Sequence, residues 1–195
     1  MTGGEPEWPV ELDGVTETVV TTLGPNGRWN VAALGVHAPD REAGDLPTAR
    51  TWGRTRTWRN FRDDGEGYVQ FVRDPKLFVE AALAVRERDD PVLEGAYAWV
   101  HVDVEAVDEG TTDGTKWVRW DLRAEDAAVE KRVVPTFNRG YAAVVEATVA
   151  ASRLDVEGYD SDRLRERIDY FEEVTERAGG AREQAAFERL RELIE

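Results

Sequence analysis

In two stretches in the middle of the chain, the type of side chain alternates from one residue to the next. They cover residues 96–105 and 116–122, and a polar turn that contains Gly110 and Gly114 joins them. Because successive side chains of a β-strand point to opposite faces, this period predicts two half-buried strands. The aliphatic and indole side chains that share one face are Ala98, Val100, Val102, Val104, Val118, Trp120 and Leu122.

Four earlier segments carry the composition of strands. Residues 16–23, 29–36, 48–52 and 68–72 are rich in β-branched and aromatic side chains, and a Pro-Asn-Gly turn separates the first two. About six strands in residues 1–126, together with two inserted helices, favour a small antiparallel β-barrel.

The two inserted helices have recognisable beginnings. Thr55 and Thr57 are both suitable N-caps for the first helix. The second begins at Asp74, with Pro75 in the first helical position. Its predicted apolar face consists of Leu77, Phe78, Ala81, Ala82 and Val85.

Beyond about residue 127 the apolar pattern takes the helical period, so we divide the chain into a barrel domain, 1–126, and a helical domain, 127–195. The glycine pair at 179 and 180 predicts a tight link that folds the last two helices into an antiparallel hairpin. The three predicted helices begin at Pro135-Thr136, at Ser161 or Asp162, and at Arg182, and the apolar face of the first includes Phe137.

The chain is strongly acidic. Forty Asp and Glu residues against 25 Lys and Arg residues give a formal net charge of −15, and only three lysines are present. This composition resembles proteins of salt-loving archaea, in which excess carboxylates maintain solubility in concentrated salt. It argues against nucleic-acid binding, because phosphate backbones require a continuous basic surface.

Several other classes of protein find no support in the sequence. The absence of cysteine excludes disulfides, thiolate catalysis and zinc–cysteine sites. No metal-ligand spacing, paired carboxylates or Ser-His-Asp arrangement supports a metal site or a hydrolase. Residues 1–14, rich in Gly, Pro and Glu, are expected to form a loosely held lead-in without the features of a signal peptide. With no apolar run of membrane-spanning length, we expect a cytoplasmic protein that does not contact membranes.

The acidic composition predicts a salt-dependent stability. Repulsion among carboxylates should destabilise the fold in dilute buffer, and added salt should screen it. We expect the thermal midpoint to rise steeply as KCl is increased from millimolar to molar concentration, as followed by circular dichroism. A midpoint that ignores salt over this range would contradict a halophilic origin.

The sign of the charge reverses locally between residues 50 and 62. This segment contains five arginines and no acid, and Gly53 within it permits close approach to the backbone. A helix N-terminus offers unpaired N–H groups and the positive end of a dipole, so guanidiniums and hydroxyls gathered there predict a phosphate site. The alternative is that these arginines pair with neighbouring acids on a solvated surface, and the segment alone favours neither.

The order of these motifs resembles a known family. The chain contains ETVVTT, then NVAALGV, GRTRTWRNF, YVQFVRDPKLF and FNRGYAAVVEATVAASRL. This series is similar to an archaeal family of unknown function whose members are FMN-binding split barrels, related at longer range to flavin-reductase-like and pyridoxamine-phosphate-oxidase-like proteins. The resemblance implies a mainly β fold with α, namely an FMN-binding split β-barrel followed by a C-terminal helical segment.

The resemblance also implies a flavin site and a homodimer. In such proteins the equivalent of residues 53–61 typically holds the flavin phosphate, and the equivalent of residues 30–35 lies along the isoalloxazine ring near the subunit interface. Small side chains on that strand suit a flat ring, although a tightly packed barrel strand would need them too. The cofactor-binding candidates are Asn30, Ala32, Gly35, Arg54, Thr55, Arg56, Thr57 and Asn60.

A few polar residues are assigned other roles. Gln70 stands where relatives commonly have asparagine, so it is not counted as a flavin contact. His101 alternates with Trp99 on a strand and is interpreted as structural, while His37 is a weak catalytic candidate. Charged residues at positions 139, 146 and 153, interleaved with alanines, favour a close helix contact with a buried ion pair.

Three classes of function remain open from the sequence. The first is a flavin-dependent oxidoreductase of unknown substrate, in which FMN carries the redox chemistry. The second is an FMN carrier or electron-transfer protein with an unidentified redox partner, and the third is a partner-binding module without flavin. Oxidation of NAD(P)H by the flavin-loaded protein separates the first two classes, and absence of bound flavin would leave the third.

Overall fold

The structure, a computed structural model, describes residues 7–40, 42–112 and 114–195. Its strands are β1 (Val15–Leu23), β2 (Trp29–His37), β3 (Thr48–Trp52), β4 (Glu66–Val72), β5 (Arg86–Arg88), β6 (Ala96–Thr112) and β7 (Thr115–Val129). Its helices are α1 (Arg56–Asp64), α2 (Pro75–Leu83), α3 (Arg139–Ala151), α4 (Ser161–Ala178) and α5 (Ala181–Ile194).

Six strands close into an antiparallel barrel. They pair in the order β1, β4, β6, β7, β3 and β2, and β2 pairs with β1 along its whole length to complete the ring. Aliphatic side chains such as Val20, Val100 and Leu122 fill the interior. From α1, Phe61 adds its ring to this core and meets Trp120 edge to face at 5.4 Å between centroids. The predicted antiparallel barrel is confirmed.

The β6–β7 hairpin is longer than the alternating pattern predicts. Residues 105–109 of β6 are exposed, so no apolar period marks this part of the strand. β7 continues to Val129, past the point where the helical period was expected to begin. Ala124 and Ala127 pack against the barrel core there, which explains why the strand continues.

The beginning of the described chain is attached to the barrel. Leu12 belongs to the barrel core, and Trp8 and Val10 pack against it. Trp8 also meets Phe71 edge to face at 6.3 Å between centroids. The expected loosely held lead-in is therefore wrong for residues 8–12, because apolar side chains anchor them, while residues 1–6 lie outside the described residues.

Gln70 of β4 is completely buried and holds the segment before β6 against the barrel. Its Nε2 donates to the carbonyl of Pro91 at 2.9 Å and to Oγ1 of Thr21 at 3.0 Å. Its Oε1 accepts from the N–H of Leu93 at 2.7 Å. The amide is used by these internal partners, which gives Gln70 a structural role.

Replacing this amide should weaken the barrel. Gln70→Leu keeps a similar volume but leaves the buried N–H of Leu93 without its partner, so the free energy of unfolding should fall by about 2 kcal/mol. Urea unfolding followed by tryptophan fluorescence measures the change. Gln184 is exposed on α5, and Gln184→Leu should stay within about 0.5 kcal/mol of the parent. Equal losses in the two variants would contradict the role assigned to Gln70.

The remaining helices form a second compact unit with its own core. The first unit consists of the barrel segments up to Val72 and of Glu87–Arg132, and the second of Arg73–Arg86 and Val133–Glu195. Thus α2, which lies within the first 126 residues of the sequence, packs with the C-terminal helices. The buried core of this second unit contains Val79, Val144, Ile168, Phe187 and Leu190.

Within the second unit the helices pair in an order that the sequence did not predict. α4 packs most closely along α3, and α5 packs most closely along α2, whereas α4 and α5 meet mainly through side chains. Gly179 ends α4 as predicted, and α5 turns back along α4, so that Nη2 of Arg191 donates to Oδ1 of Asp169 at 2.6 Å. The predicted hairpin of the last two helices therefore forms, through side-chain contacts rather than close backbone packing. A Cβ on Gly140 would lie 2.3 Å from the Cα of Gly179, so α3 and the end of α4 approach at backbone distance.

Two predicted helix limits need correction. α3 begins at Arg139 rather than at Pro135, because the side chain of Asn138 accepts from the N–H of Gly140 at 2.8 Å and caps the helix there. Phe137 consequently lies before the helix and is fully exposed. α2 ends at Leu83, which leaves Val85 exposed.

The predicted ion pair of the tail also differs from its expected form. Glu146 of α3 meets Arg167 of α4 at 3.4 Å, and both side chains are about half exposed. The contact therefore bridges two helices at the surface instead of lying in the core.

No helix in the described part of the chain is both long and apolar enough to cross a membrane.

Candidate functional site

The segment between β3 and α1 presents an open helix N-terminus. Gly53 has a φ of +67°, and no atom lies within 4 Å of the position that a Cβ would occupy. Of the two candidate caps, Thr55 is the N-cap, and its Oγ1 accepts from the N–H of Trp58 at 3.2 Å. The first turn of α1 carries no acidic residue, so its own helix does not neutralise the positive end of the dipole.

Arg56 pairs with an acidic residue on β5. Its Nη1 donates to Oε1 of Glu87 on β5 at 2.6 Å. The other carboxylate oxygen of Glu87 accepts from Nδ2 of Asn26, in the turn between β1 and β2, at 3.1 Å. This pairing is the kind of ion pair that the alternative reading of the cluster expects, yet a guanidinium has five N–H groups and remains able to bind a second anion.

Three other arginines of the cluster lie near tryptophan rings. Arg54 and Arg62 flank the ring of Trp58, with guanidinium carbons 6.0 and 4.9 Å from its centroid, and Arg50 covers Trp117 at 4.2 Å. A cavity of about 340 Å³, here called the basic cavity, lies beside them. It is lined by Gly53, Arg54, Trp58, Arg62, Glu109, Gly110, Thr111, Lys116, Trp117 and Val118.

β2 supplies the strand that was predicted to lie along a flavin. Its register with β3 covers only Val36 and His37, whereas all nine of its residues pair with β1 on the other side. The short β5 also borders β2, so most of the edge that faces β3 is not paired with β3. We interpret this short β2–β3 pairing as the split of the barrel.

The three predicted flavin contacts on β2 lie in different surroundings. Asn30 is buried and lies opposite Thr22 in the register with β1. Ala32 packs against the barrel core. Gly35 is partly exposed beside Val15, and a Cβ there would lie 3.2 Å from Cγ1 of that valine.

Two further predicted site residues anchor α1. Asn60 is buried, and its Nδ2 donates to Oγ1 of Thr22 at 2.9 Å and to the Thr22 carbonyl at 3.3 Å. Thr57 is likewise buried in the first turn of the helix. Asn60 thus attaches α1 to β1 close to the start of β2, since Thr22 is the register partner of Asn30.

A polar–aromatic cluster on β4 and β6 was not anticipated from the sequence. The rings of Tyr68 and His101 stack at 4.6 Å, and Nε2 of His101 lies 3.0 Å from Oε2 of Glu66. Burial, followed by the nearby charges of Glu66 and Asp126, raises the pKa of the Tyr68 hydroxyl. Two more rings, those of Trp29 and Trp99, flank Tyr68 at 5.4 and 5.7 Å. The alternating pattern placed 99 and 101 on one face but contained no information about β4.

Both parts of the chain match a single family, described as protein of unknown function DUF447. The N-terminal domain of that family matches residues 16–131, and a second region of it matches residues 138–192. The chain belongs to the DUF447 family. The sequence-based resemblance to an archaeal family of unknown function is confirmed.

A solved DUF447 structure has the same fold. The crystal structure of an FMN-bound DUF447 protein from Methanosarcina mazei is 26% identical, with a TM-score of 0.79, and the alignment covers 94% of this chain and 96% of that chain. The match confirms the predicted fold class, a split barrel followed by helices.

Two more distant structures align with part of this chain. An FMN-binding protein from Thermus thermophilus with bound p-hydroxybenzaldehyde is 17% identical over 67% of this chain and 82% of that chain, with a TM-score of 0.42. The styrene monooxygenase flavin reductase of Pseudomonas putida S12 is 16% identical over 60% and 79%, with a TM-score of 0.39.

Proposed function

We propose that this DUF447 protein binds FMN. The observation that carries the proposal is the similarity to an FMN-bound DUF447 protein over 94% of the chain. Two features of the site support it independently, namely an open, positively polarised helix N-terminus and an incompletely paired strand beside it.

The N-terminus of α1 fits a phosphate. The loop at Gly53 has open space in front of its backbone, and exposed Arg54 and Thr55 stand beside it. Arg56 adds a guanidinium from the other side, although it must share its donors with Glu87. Hydrogen bonds from cations and backbone N–H groups to a dianion are short and strong, and the helix dipole adds to them.

The split beside β2 fits a flat ring. Where β2 is paired with neither β3 nor β5, its backbone N–H and C=O groups require partners, and a ring with polar atoms at its margin can provide them. Because Gly35 has no side chain, it leaves space for a flat ring beside Val15. The buried side chains of Asn60 and Thr57, and Ala32 in the core, are proposed to position the binding segments.

We propose further that the FMN-loaded protein is an oxidoreductase. FMN supplies hydride or electron transfer when bound, while the chain holds the phosphate, orients the ring and restricts the access of water. Anaerobic mixing with NADH or NADPH, followed by loss of flavin absorbance, tests this step. An unreduced flavin with both donors would count against turnover with nicotinamide nucleotides and leave FMN binding intact.

Titration with FMN and with riboflavin tests the proposed binding. If the phosphate is held at α1, FMN should bind at least tenfold more tightly than riboflavin, because each charge-assisted hydrogen bond contributes about 1.5–3 kcal/mol. Quenching of flavin fluorescence at fixed high salt gives both dissociation constants. Equal affinities would exclude a phosphate site, and the arginines would then be surface ion-pairing groups.

A further inference from the structure

The basic cavity gathers cations in an acidic protein. Among the described residues, Arg54, Arg62 and Lys116 line it together with one carboxylate, that of Glu109, in a chain of net charge −15. Within the described residues, neither Arg54 nor Lys116 has a carboxylate within 4 Å, and Arg62 has only Asp63, its exposed chain neighbour, at 3.8 Å. Three positive groups that line one cavity and outnumber its acidic neighbours favour a multiply charged anion over a single carboxylate.

The cavity also has indole walls whose positions are set by their surroundings. Nε1 of Trp117 donates to Oγ1 of Thr112 at 3.1 Å, and the ring packs against Gly110, where a Cβ would lie 2.5 Å from it. Trp58 also lines the cavity, and the guanidinium carbons of Arg54 and Arg62 lie 6.0 and 4.9 Å from its ring centroid. Indole walls held in this way suit a flat aromatic ring, which gains stacking energy without first ordering the side chains.

We propose that the basic cavity binds a nucleoside phosphate, at a site separate from the FMN site at the first turn of α1. The phosphate would contact Arg62 and Lys116, and the base would stack on an indole. Glu109 and Thr111 offer acceptors for a base amino group or a ribose hydroxyl. Gly53 and Arg54 border both sites, whereas Arg62 and Lys116 belong to the cavity alone.

Calorimetric titration with AMP and with adenosine at fixed salt tests the cavity. AMP should bind at least about tenfold more tightly than adenosine, since only AMP carries the phosphate. Arg62→Gln should weaken AMP binding about tenfold or more and leave FMN affinity within about twofold. Arg59 provides the matched control, because it is exposed on the same helix and does not line the cavity.

Several outcomes would overturn the proposal. Equal affinities for AMP and adenosine would exclude phosphate recognition, and equal losses in Arg59→Gln and Arg62→Gln would reduce the effect to general charge. FMN has the same two parts, a flat ring and a phosphate, so the AMP titration is repeated with the FMN-loaded protein. Unchanged AMP affinity supports a separate site, whereas loss of AMP binding would place FMN in the cavity. If FMN fails to bind at all, the proposed function falls while the AMP titrations of the free protein still decide the cavity.

Discussion

Gly140→Val should destabilise the helical unit by about 3 kcal/mol, at the upper end of the cost of overpacking. A Cβ at this position would lie 2.3 Å from the Cα and 2.6 Å from the backbone nitrogen of Gly179. Both neighbours are backbone atoms, so no side chain can rotate away, and α3 must separate from the end of α4. The gain in helix propensity from replacing glycine is only a few tenths of a kcal/mol and does not compensate.

A matched control distinguishes this contact from a general effect of valine in α3. Ala142 is exposed in the first turns of the same helix, and Ala142→Val should cost only about 0.6 kcal/mol through propensity. Urea unfolding followed by circular dichroism at 222 nm measures both variants. Similar losses at the two positions would show that the close approach of Gly140 and Gly179 does not carry stability.

Arg56→Ala should lower FMN affinity by about 1.5–3 kcal/mol and leave riboflavin binding nearly unchanged, because only FMN loses a charged partner. The measurement is the quenching of flavin fluorescence at fixed high salt. Arg59→Ala, which removes the same charge from an exposed position of the same helix, should change neither affinity by more than about 0.5 kcal/mol. Arg62→Ala, at the far end of the helix, should likewise have little effect on FMN.

Glu87 separates a direct role of Arg56 from an indirect one. If Arg56 contacts the phosphate, Glu87→Gln removes a competing anion and should maintain or strengthen FMN binding. If Arg56 merely pairs with Glu87 to hold β5 in place, Glu87→Gln should weaken FMN binding as Arg56→Ala does. The second result would assign Arg56 to the structure of the barrel.

Local patterns predicted the elements of the barrel better than their limits. Alternation identified β6 through Val100 and Val102, because one face of the strand is buried there. It stopped near residue 105, where both faces are exposed and selection for an apolar period is absent. Asn138 shows the opposite case, since its capping side chain, rather than the apolar residue Phe137 before it, decides where α3 begins.

The same patterns did not show which elements pack together when they lie far apart in the sequence. The apolar face of α2 was visible in the sequence, but its partners lie on α3 and α5, some 60 to 110 residues away. The arginine cluster was identified from its unusual local charge, which did not show where each side chain points. Trp58 and Arg62 are four positions apart and share one face of α1, whereas Arg56 lies two positions before Trp58 and faces a different direction. Arg54 precedes the N-cap, so the helical period does not determine its position.

The discontinuity of the helical unit has a consequence for synthesis on the ribosome. α2 emerges soon after β4, yet α5, which packs along it, is completed about 110 residues later. At roughly 5–20 residues per second, this delay lasts on the order of 5–20 seconds. During that time Val79 and its apolar neighbours lack α5, one of their native packing partners. A nascent chain that stalled before α5 would leave these side chains exposed to chaperones or to other chains.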